Sequence, residues 1–315
     1  TLDSESGQYI LNDNTRGAGI RTLNCQDTDD YEGAIEFYDS DNIWNNVNAQ
    51  LDEYATDAHF ATASTYDYFY NIHGRNSIDG NGHALWSFVH FSLIDYGYGS
   101  NVNAFWNGYY MTYGDGNENI TPLTTVDICA HEISHGLTSY TANLIYQDES
   151  GALNEAFSDI FGTAVEFYAK PGNANYLIGS EIGYIMRSLA DPNSTGKPDT
   201  YQGSYWVFDE SDNGGVHTNG IPLCYGFYLL SEGGSGTNDL GNFYDIASIG
   251  MAKAEKIFFR LLTVYLTPSS NYYDAWFFAM QAAADLYGAC SSEVQSVGEM
   301  FYAIGVADEP YVNTA

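Results

Sequence analysis

The sequence predicts an α+β protein: a β-rich N-terminal domain and a mainly α-helical C-terminal domain, with an active-site cleft between them bridged by one helix. Three observations lead there. Residues 1 to about 125 are rich in Gly, Asn, Asp, Tyr and Thr, with short alternating runs such as Ala34-Ile35-Glu36-Phe37-Tyr38, a pattern of strands joined by turns. After Val126 the apolar spacing becomes helical. The length of 315 residues exceeds the usual size of one domain, so two domains sharing a cleft are expected. The expected boundaries are 1–125 for the β-rich domain, 126–143 for the bridging helix and 144–315 for the helical domain.

In the first half, Asp57 to Ile72 carries apolar residues at helical spacing and reads as the helix that interrupts the strands. Ala104 to Met111 reads as a strand, closed by the turn Gly114-Asp115-Gly116. Further helices are expected over 126–143, 151–169, 221–231, 245–265, 271–287 and 291–304, with Asp274, Ser291 and Ser292 as N-caps.

Composition narrows the function. With 44% hydrophobic residues and 28 tyrosines there is material for real cores. No apolar run reaches the roughly 18 residues of a membrane span, so no membrane partner is expected. The start, Thr1-Leu2-Asp3-Ser4, has neither the basic nor the apolar stretch of a signal peptide and, lacking Met, reads as a processed form. Nine Lys+Arg against 41 Asp+Glu give a net charge of −32, which repels phosphate backbones and argues against nucleic acid. Some of those carboxylates are candidates for holding calcium. Cys25, Cys129, Cys224 and Cys290 form no CxxC pair, which excludes a zinc ribbon; two disulfides in any of three pairings remain open, and Cys129 reads as a buried structural thiol.

The chemistry-bearing signal is His131-Glu132-Ile133-Ser134-His135, followed by Glu155 in Asn154-Glu155-Ala156-Phe157-Ser158-Asp159. Histidines four apart share one helix face and can reach a single zinc ion. Glu132, between them, is placed to take a proton from an attacking water. Glu155 as third ligand leaves the fourth position open, as a catalytic zinc requires.

Two polar stripes strengthen the reading. Asp127, His131 and His135 form one; Glu155, Asp159 and Glu166 share a face of the next helix. Packed antiparallel, His135 faces Glu155, His131 faces Asp159, and Asp127 faces Glu166. Asp159 would then orient the ring of His131, and the Asp127–Glu166 carboxylates would need a hard cation, calcium, between them. HExxH alone recurs by chance in unrelated proteins; three rungs in register are much harder to obtain by accident.

From about residue 55 to 305 the chain resembles the thermolysin-like neutral metallopeptidases, which are secreted zinc endopeptidases. The resemblance rests on Asn103-Ala104-Phe105-Trp106-Asn107-Gly108, His131-Glu132-Ile133-Ser134-His135-Gly136, Gly151 to Asp159, Met186 to Pro192, and Asp212-Asn213-Gly214-Gly215-Val216-His217-Thr218-Asn219. It implies that His131, His135 and Glu155 ligate zinc with Glu132 as general base. It implies that His217, oriented by Asp212, and Tyr146 stabilise the oxyanion. Asn103, the Ala104 carbonyl and Arg187 match groups that hold the substrate backbone. Ile120, Leu123, Ile128 and Met186 match an apolar S1′ pocket, implying cleavage before bulky apolar residues. The implied setting is a secreted, extracellular monomer acting on peptides or proteins.

The chain departs from the family in the turn after His217, which continues Asn219-Gly220-Ile221-Pro222. Asn175 and Ser180 stand where acids are common, so one calcium built from Asp127, Glu166, Asn175 and the Leu177 carbonyl is expected. Two alternatives compete: a zinc aminopeptidase of the HExxH…E group, and a catalytically silent binding module. The first needs an acidic amine-recognition strand where this chain has Asn103-Ala104-Phe105-Trp106; the second predicts loss of Glu132 or a ligand, and none is lost.

Overall fold

The computed structural model describes residues 1–45, 47–48 and 51–311. They divide into two compact units. The first holds Thr1–Leu137, Val165–Ala174 and Gly179–Ile185; the second holds Thr138–Ala164, Asn175–Ile178 and the chain from Met186 onward.

The first unit is built on a mixed six-stranded sheet. Its strands begin with β1 (Tyr9–Ile10), β2 (Asn12–Asp13), β3 (Ile20–Thr28), β4 (Ile35–Glu36) and β5 (Tyr38–Asp39), followed by helix α1 (Glu53–His73) and β6 (Leu85–Phe91). A short helix α2 (Leu93–Tyr96) precedes β7 (Ala104–Trp106) and β8 (Met111–Tyr113). The sheet runs β2-β3-β6-β8-β7 with β4 on β3, so β7 lies at an edge, while β1 pairs with β5 separately. Strands β3, β6 and β8 run parallel, and β7 returns antiparallel on β8.

Alternation along β3 and β6 decides which face each residue joins, and the irregularity at His90 (φ 52°), where the β3–β6 register shifts, returns Phe91 to the face of Phe88. Leu23, Cys25, Phe88 and Phe91 form a buried cluster with Leu93 on one face. Thr22 and Ser87 point to α1, where they meet His59 (3.0 Å) and Thr62 (3.1 Å). Helix α1 stops at Gly74, whose left-handed φ of 66° admits the closing turn.

Ala104 to Met111 is not one strand. Chain direction reverses at Asn107-Gly108, where Asn107 Oδ1 accepts the backbone N–H groups of Tyr109 (2.9 Å) and Tyr110 (2.7 Å) and Gly108 takes φ 97°. An Asn side chain capping its own turn beside a glycine outweighs the strand propensity of the flanking aromatics.

Two helices follow: α3 (Val126–Ser139) and α4 (Asp148–Ala169). The second unit then contains β9 (Leu177–Ile178), β10 (Arg187–Ser188), the segment α5 (Asp212–Asn219), α6 (Ile221–Glu232), β11 (Gly234–Thr237), β12 (Phe243–Ile246), α7 (Met251–Arg260), α8 (Tyr272–Tyr287) and α9 (Ser292–Ala303). Phe157, Phe161, Phe227, Phe258 and Phe301 are fully buried here, each contributing roughly 1.5–3 kcal/mol. Phe258 meets Phe157 and Phe227 edge-on, with ring centroids 6.1 and 5.4 Å away.

The helix expected over 245–265 begins only at Met251. Phe243–Ile246 alternates exposed and buried residues and pairs with β11, and Gly250 at φ 80° separates strand from helix. After Arg260 the helix loosens into a π turn over Leu261–Tyr265. Asp274 is not an N-cap: Asn271 caps α8, and Asp274 is the reciprocal partner of that capping box. Ser291 caps α9 as expected. All four cysteines are free thiols, so neither disulfide forms; Cys25, Cys129 and Cys224 are buried and Cys290 is exposed.

Candidate metal and catalytic site

Helix α3 is buried nearly all round. Ile128, Cys129, Ala130, Ile133 and Leu137 are buried, so its polar stripe is carried into the protein rather than left in water. The imidazoles of His131 and His135 converge, with Nε2 atoms 3.1 Å apart. Two nitrogens bound tetrahedrally at zinc distances lie about 3.3 Å apart, so the pair is set for one small ion. His131, His135 and Glu155 each offer one ligand atom, and these lie within 4.8 Å of one another. Bringing a buried imidazole, a half-buried one and a buried carboxylate together suits a divalent cation, which would neutralise the anion and use the lone pairs.

Glu132 is also buried. Its Oε2 accepts the backbone N–H of Trp106 at 3.0 Å. Trp106 and Ala104 sit at positions whose partners on β8, Met111 and Tyr113, flank the hydrogen-bonded pair Phe105–Thr112. By antiparallel alternation their backbone groups point outward from the sheet edge. Asn103 is tied to β8 by its carbonyl, which accepts from Gly114 N–H at 3.1 Å.

A chain of hydrogen bonds surrounds Glu155. Its Oε1 accepts the Tyr146 hydroxyl. That hydroxyl lies 3.1 Å from His217 Nε2, and His217 Nδ1 lies 2.7 Å from Asp212 Oδ1. Asp212 Oδ2 also accepts the His217 backbone N–H at 3.1 Å. The local chain needs its glycines: Asp212, Asn213, Gly214 and Gly215 all take positive φ, and a Cβ on Gly214 would meet Asp148 Oδ1 at 2.2 Å. Segment α5 is therefore a left-handed turn leading into a short helix, which aims the His217 ring back at its own Asp212. Tyr146 and His217 are both exposed.

Arg187 and Asp159 form a buried bidentate pair, at 2.6 and 2.7 Å. Burial opposes the guanidinium charge, but the charge and hydrogen bonds of Asp159 more than offset it and raise the Arg187 pKa. Leu123 and Ile128 are buried, and Ile120 and Met186 are half-buried.

Asp127 and Glu166 are both buried. Asp127 Oδ2 accepts from Gly179 N–H (2.7 Å) and Oδ1 from the Thr125 hydroxyl (2.5 Å). Burial pushes its carboxyl pKa up, with the Glu181 charge adding to the shift and these hydrogen bonds opposing it. Asn175 Oδ1 accepts the Leu177 backbone N–H at 2.8 Å. Three partners had no sequence signal: the Trp106 amide on Glu132, the Thr125 hydroxyl on Asp127, and Arg187 on Asp159.

A mixed-sheet unit, a helical unit, and two histidines four apart on a buried helix with a glutamate in ligand range define a metal-site protein of the His-Glu-x-x-His class. The chain belongs to the thermolysin metallopeptidase family: the family's catalytic-domain model matches residues 1–139 and its alpha-helical-domain model residues 142–306. It is 45% identical over 314 residues to a thermostable neutral protease of Geobacillus stearothermophilus and to a thermolysin of Alicyclobacillus acidocaldarius, covering 97% of this chain and 54% of each relative. The chain thus spans about half the length of the curated relatives it matches. The solved precursor of protealysin, a metalloproteinase from Serratia proteamaculans, is similar with a TM-score of 0.72 at 26% identity, covering 91% of this chain and 87% of that one.

Proposed function

We propose that this chain is a zinc-dependent endopeptidase that hydrolyses internal peptide bonds, secreted and acting on peptides or proteins as a monomer. The observation that carries it is the set of three ligand atoms from His131, His135 and Glu155 within 4.8 Å, in a chain of this family. Two imidazoles and one carboxylate suit zinc and leave a position for chemistry. Zinc held there would supply Lewis acidity at a scissile carbonyl and lower the pKa of the attacking water.

The chain's own groups do the rest. Glu132, buried on the same helix, accepts the proton of that water and delivers it to the leaving amine. Tyr146 and His217 donate to the developing oxyanion; Asp212 accepts Nδ1–H and favours the doubly protonated ring, in which Nε2 is the outward-facing donor. Arg187, with part of its guanidinium fork on Asp159, offers its remaining N–H groups to a peptide carbonyl. Asn103 and the outward carbonyl of Ala104 at the β7 edge hold the peptide backbone, in the manner of an added strand. Apolar Ile120, Leu123, Ile128 and Met186 favour a bulky apolar residue after the cleaved bond.

Calcium is the second ion of this reading, held by Asp127, Glu166, Asn175 and the Leu177 carbonyl. Two buried carboxylates, with burial raising the pKa of Asp127, favour a hard cation beside them.

Blocked and free-amine versions of one peptide with a central Gly-Leu bond test the activity. Cleavage of the blocked peptide at that bond supports an endopeptidase. Release of the first residue from the free-amine peptide alone would instead establish an aminopeptidase.

A further inference from the structure

The residues between β6 and β7 build something the proposed reaction does not use. Tyr96, Tyr98 and Phe105 are mutually parallel within 12–21°, with ring centroids 6.4, 5.7 and 5.7 Å apart. A single column would place its outer pair twice as far apart as its neighbours; a near-equal triangle of near-parallel rings is instead an offset stack, the three rings overlapping at their edges into one aromatic floor. Phe91, buried beneath, supports it on edge, with its ring at 73° to Tyr96 and 86° to Phe105. The floor is open to solvent, Tyr96 being 49% and Tyr98 42% exposed.

It is also held in place before any ligand arrives. Ser92 caps α2 on the Asp95 N–H, Gly97 turns the chain at φ 110°, and Tyr98 N–H bonds back to the Leu93 carbonyl at 2.8 Å. The floor adjoins the reacting groups, because Phe105 precedes the Trp106 whose N–H bonds Glu132. Burial and the neighbouring charges of Tyr96 and Glu132 raise the Tyr98 pKa.

We propose that Tyr96 and Tyr98, with Phe105, form a specificity subsite that takes an arginine side chain of the peptide lying along the β7 edge. This rests on the endopeptidase reading above. An arginine guanidinium is flat, stacks on aromatic faces and keeps its charge there. The chain's net charge of −32, with Asp95 next to Tyr96, favours a cation over a neutral ring. The same sheet already uses this chemistry internally: the Arg21 guanidinium sits 5.4 Å over Trp86, which stacks on Tyr110. Lysine, a compact and strongly hydrated charge, gains less from an aromatic face.

The test uses blocked peptides with one cleavable bond, carrying Arg, citrulline, Lys or Leu at each residue preceding that bond in turn. They are assayed on the zinc-loaded wild type, on Tyr96→Ser/Tyr98→Ser and on Tyr96→Phe/Tyr98→Phe. At one position Arg is expected to exceed citrulline, its uncharged flat analogue, by about tenfold in kcat/KM, chiefly through KM. The serine variant should lose that preference, cleaving the Arg and citrulline peptides with equal kcat/KM. The phenylalanine variant should keep it, and raised ionic strength should weaken it. Cleavage of every peptide with Arg equal to citrulline, or with the Arg preference intact in the serine variant, overturns the subsite alone. Cleavage of none by wild type overturns the endopeptidase reading and the subsite with it.

Discussion

Arg187 grips Asp159 through two parallel hydrogen bonds, Nε to Oδ2 at 2.6 Å and Nη2 to Oδ1 at 2.7 Å, with both side chains buried. One of nine cations in a strongly acidic chain is thus held inside rather than at the surface. Asp159 lies one helical turn from Glu155 on α4, so the pair fixes the guanidinium near the candidate ligand.

Cutting this pair on one side leaves a buried charge without its partner. Asp159→Asn is expected to destabilise the protein by about 3 kcal/mol, read as a lower urea midpoint with unchanged m. The joint change Asp159→Leu/Arg187→Met should recover most of that loss. An Asp159→Asn midpoint equal to wild type would show that the pair contributes little.

Glu132 is assigned proton transfer, not metal binding. Glu132→Gln keeps an acceptor for the Trp106 N–H but cannot take a proton, so kcat should fall by about 10²–10⁴ while zinc content stays at the wild-type level. Equal loss of zinc and activity would make Glu132 a ligand instead.

The thiols give a structural check independent of activity. Burial raises the pKa of Cys25 to about 12 and also lifts those of Cys129 and Cys224, whereas Cys290 is exposed. Ellman's reagent should titrate only Cys290 in the native protein and all four thiols in guanidinium without reductant. Fewer in guanidinium would reveal a disulfide.

His59 sets an acid limit. Burial lowers its pKa from 6.5 to about 4, outweighing the opposing charge of Asp13. Between those values the unfolded chain binds the proton and the folded chain does not, so stability rises with pH. The stability is fully present above pH 6.5 and is lost as pH falls toward 4, by about 3 kcal/mol. His59→Gln, which can still bond Thr22, should flatten that part of the stability curve. An identical slope in the variant would remove His59 from the account.

Much of this was legible in the sequence, for physical reasons. Periodicity located α3 and α4 because their apolar residues had to be buried, and the Asp127-His131-His135 stripe stood out against them. Asn107-Gly108 is equally visible, but the aromatic residues on both sides carry strand propensity and mask the turn. The strand at Phe243–Ile246 merged with the helix after it because four alternating residues are too few to overrule a long helical pattern. Asp159's bond to Arg187 could not be read at all: the residues are far apart in sequence, and no spacing rule joins them. Nor could the Trp106 amide on Glu132, because a backbone group carries no sequence signature. The fit of His217 to Asp212 depended on a run of four left-handed residues, of which only the two glycines announced themselves.

The central claim is that His131, His135 and Glu155 hold one catalytic zinc, and metal removal with add-back tests it most directly. Cleavage of the blocked Gly-Leu peptide should vanish in o-phenanthroline and return when zinc is restored. Glu155→Gln should bind zinc too weakly to recover at the same concentration. Full activity in chelator-treated, zinc-free protein, or no activity in folded protein carrying a single zinc per chain, would contradict it.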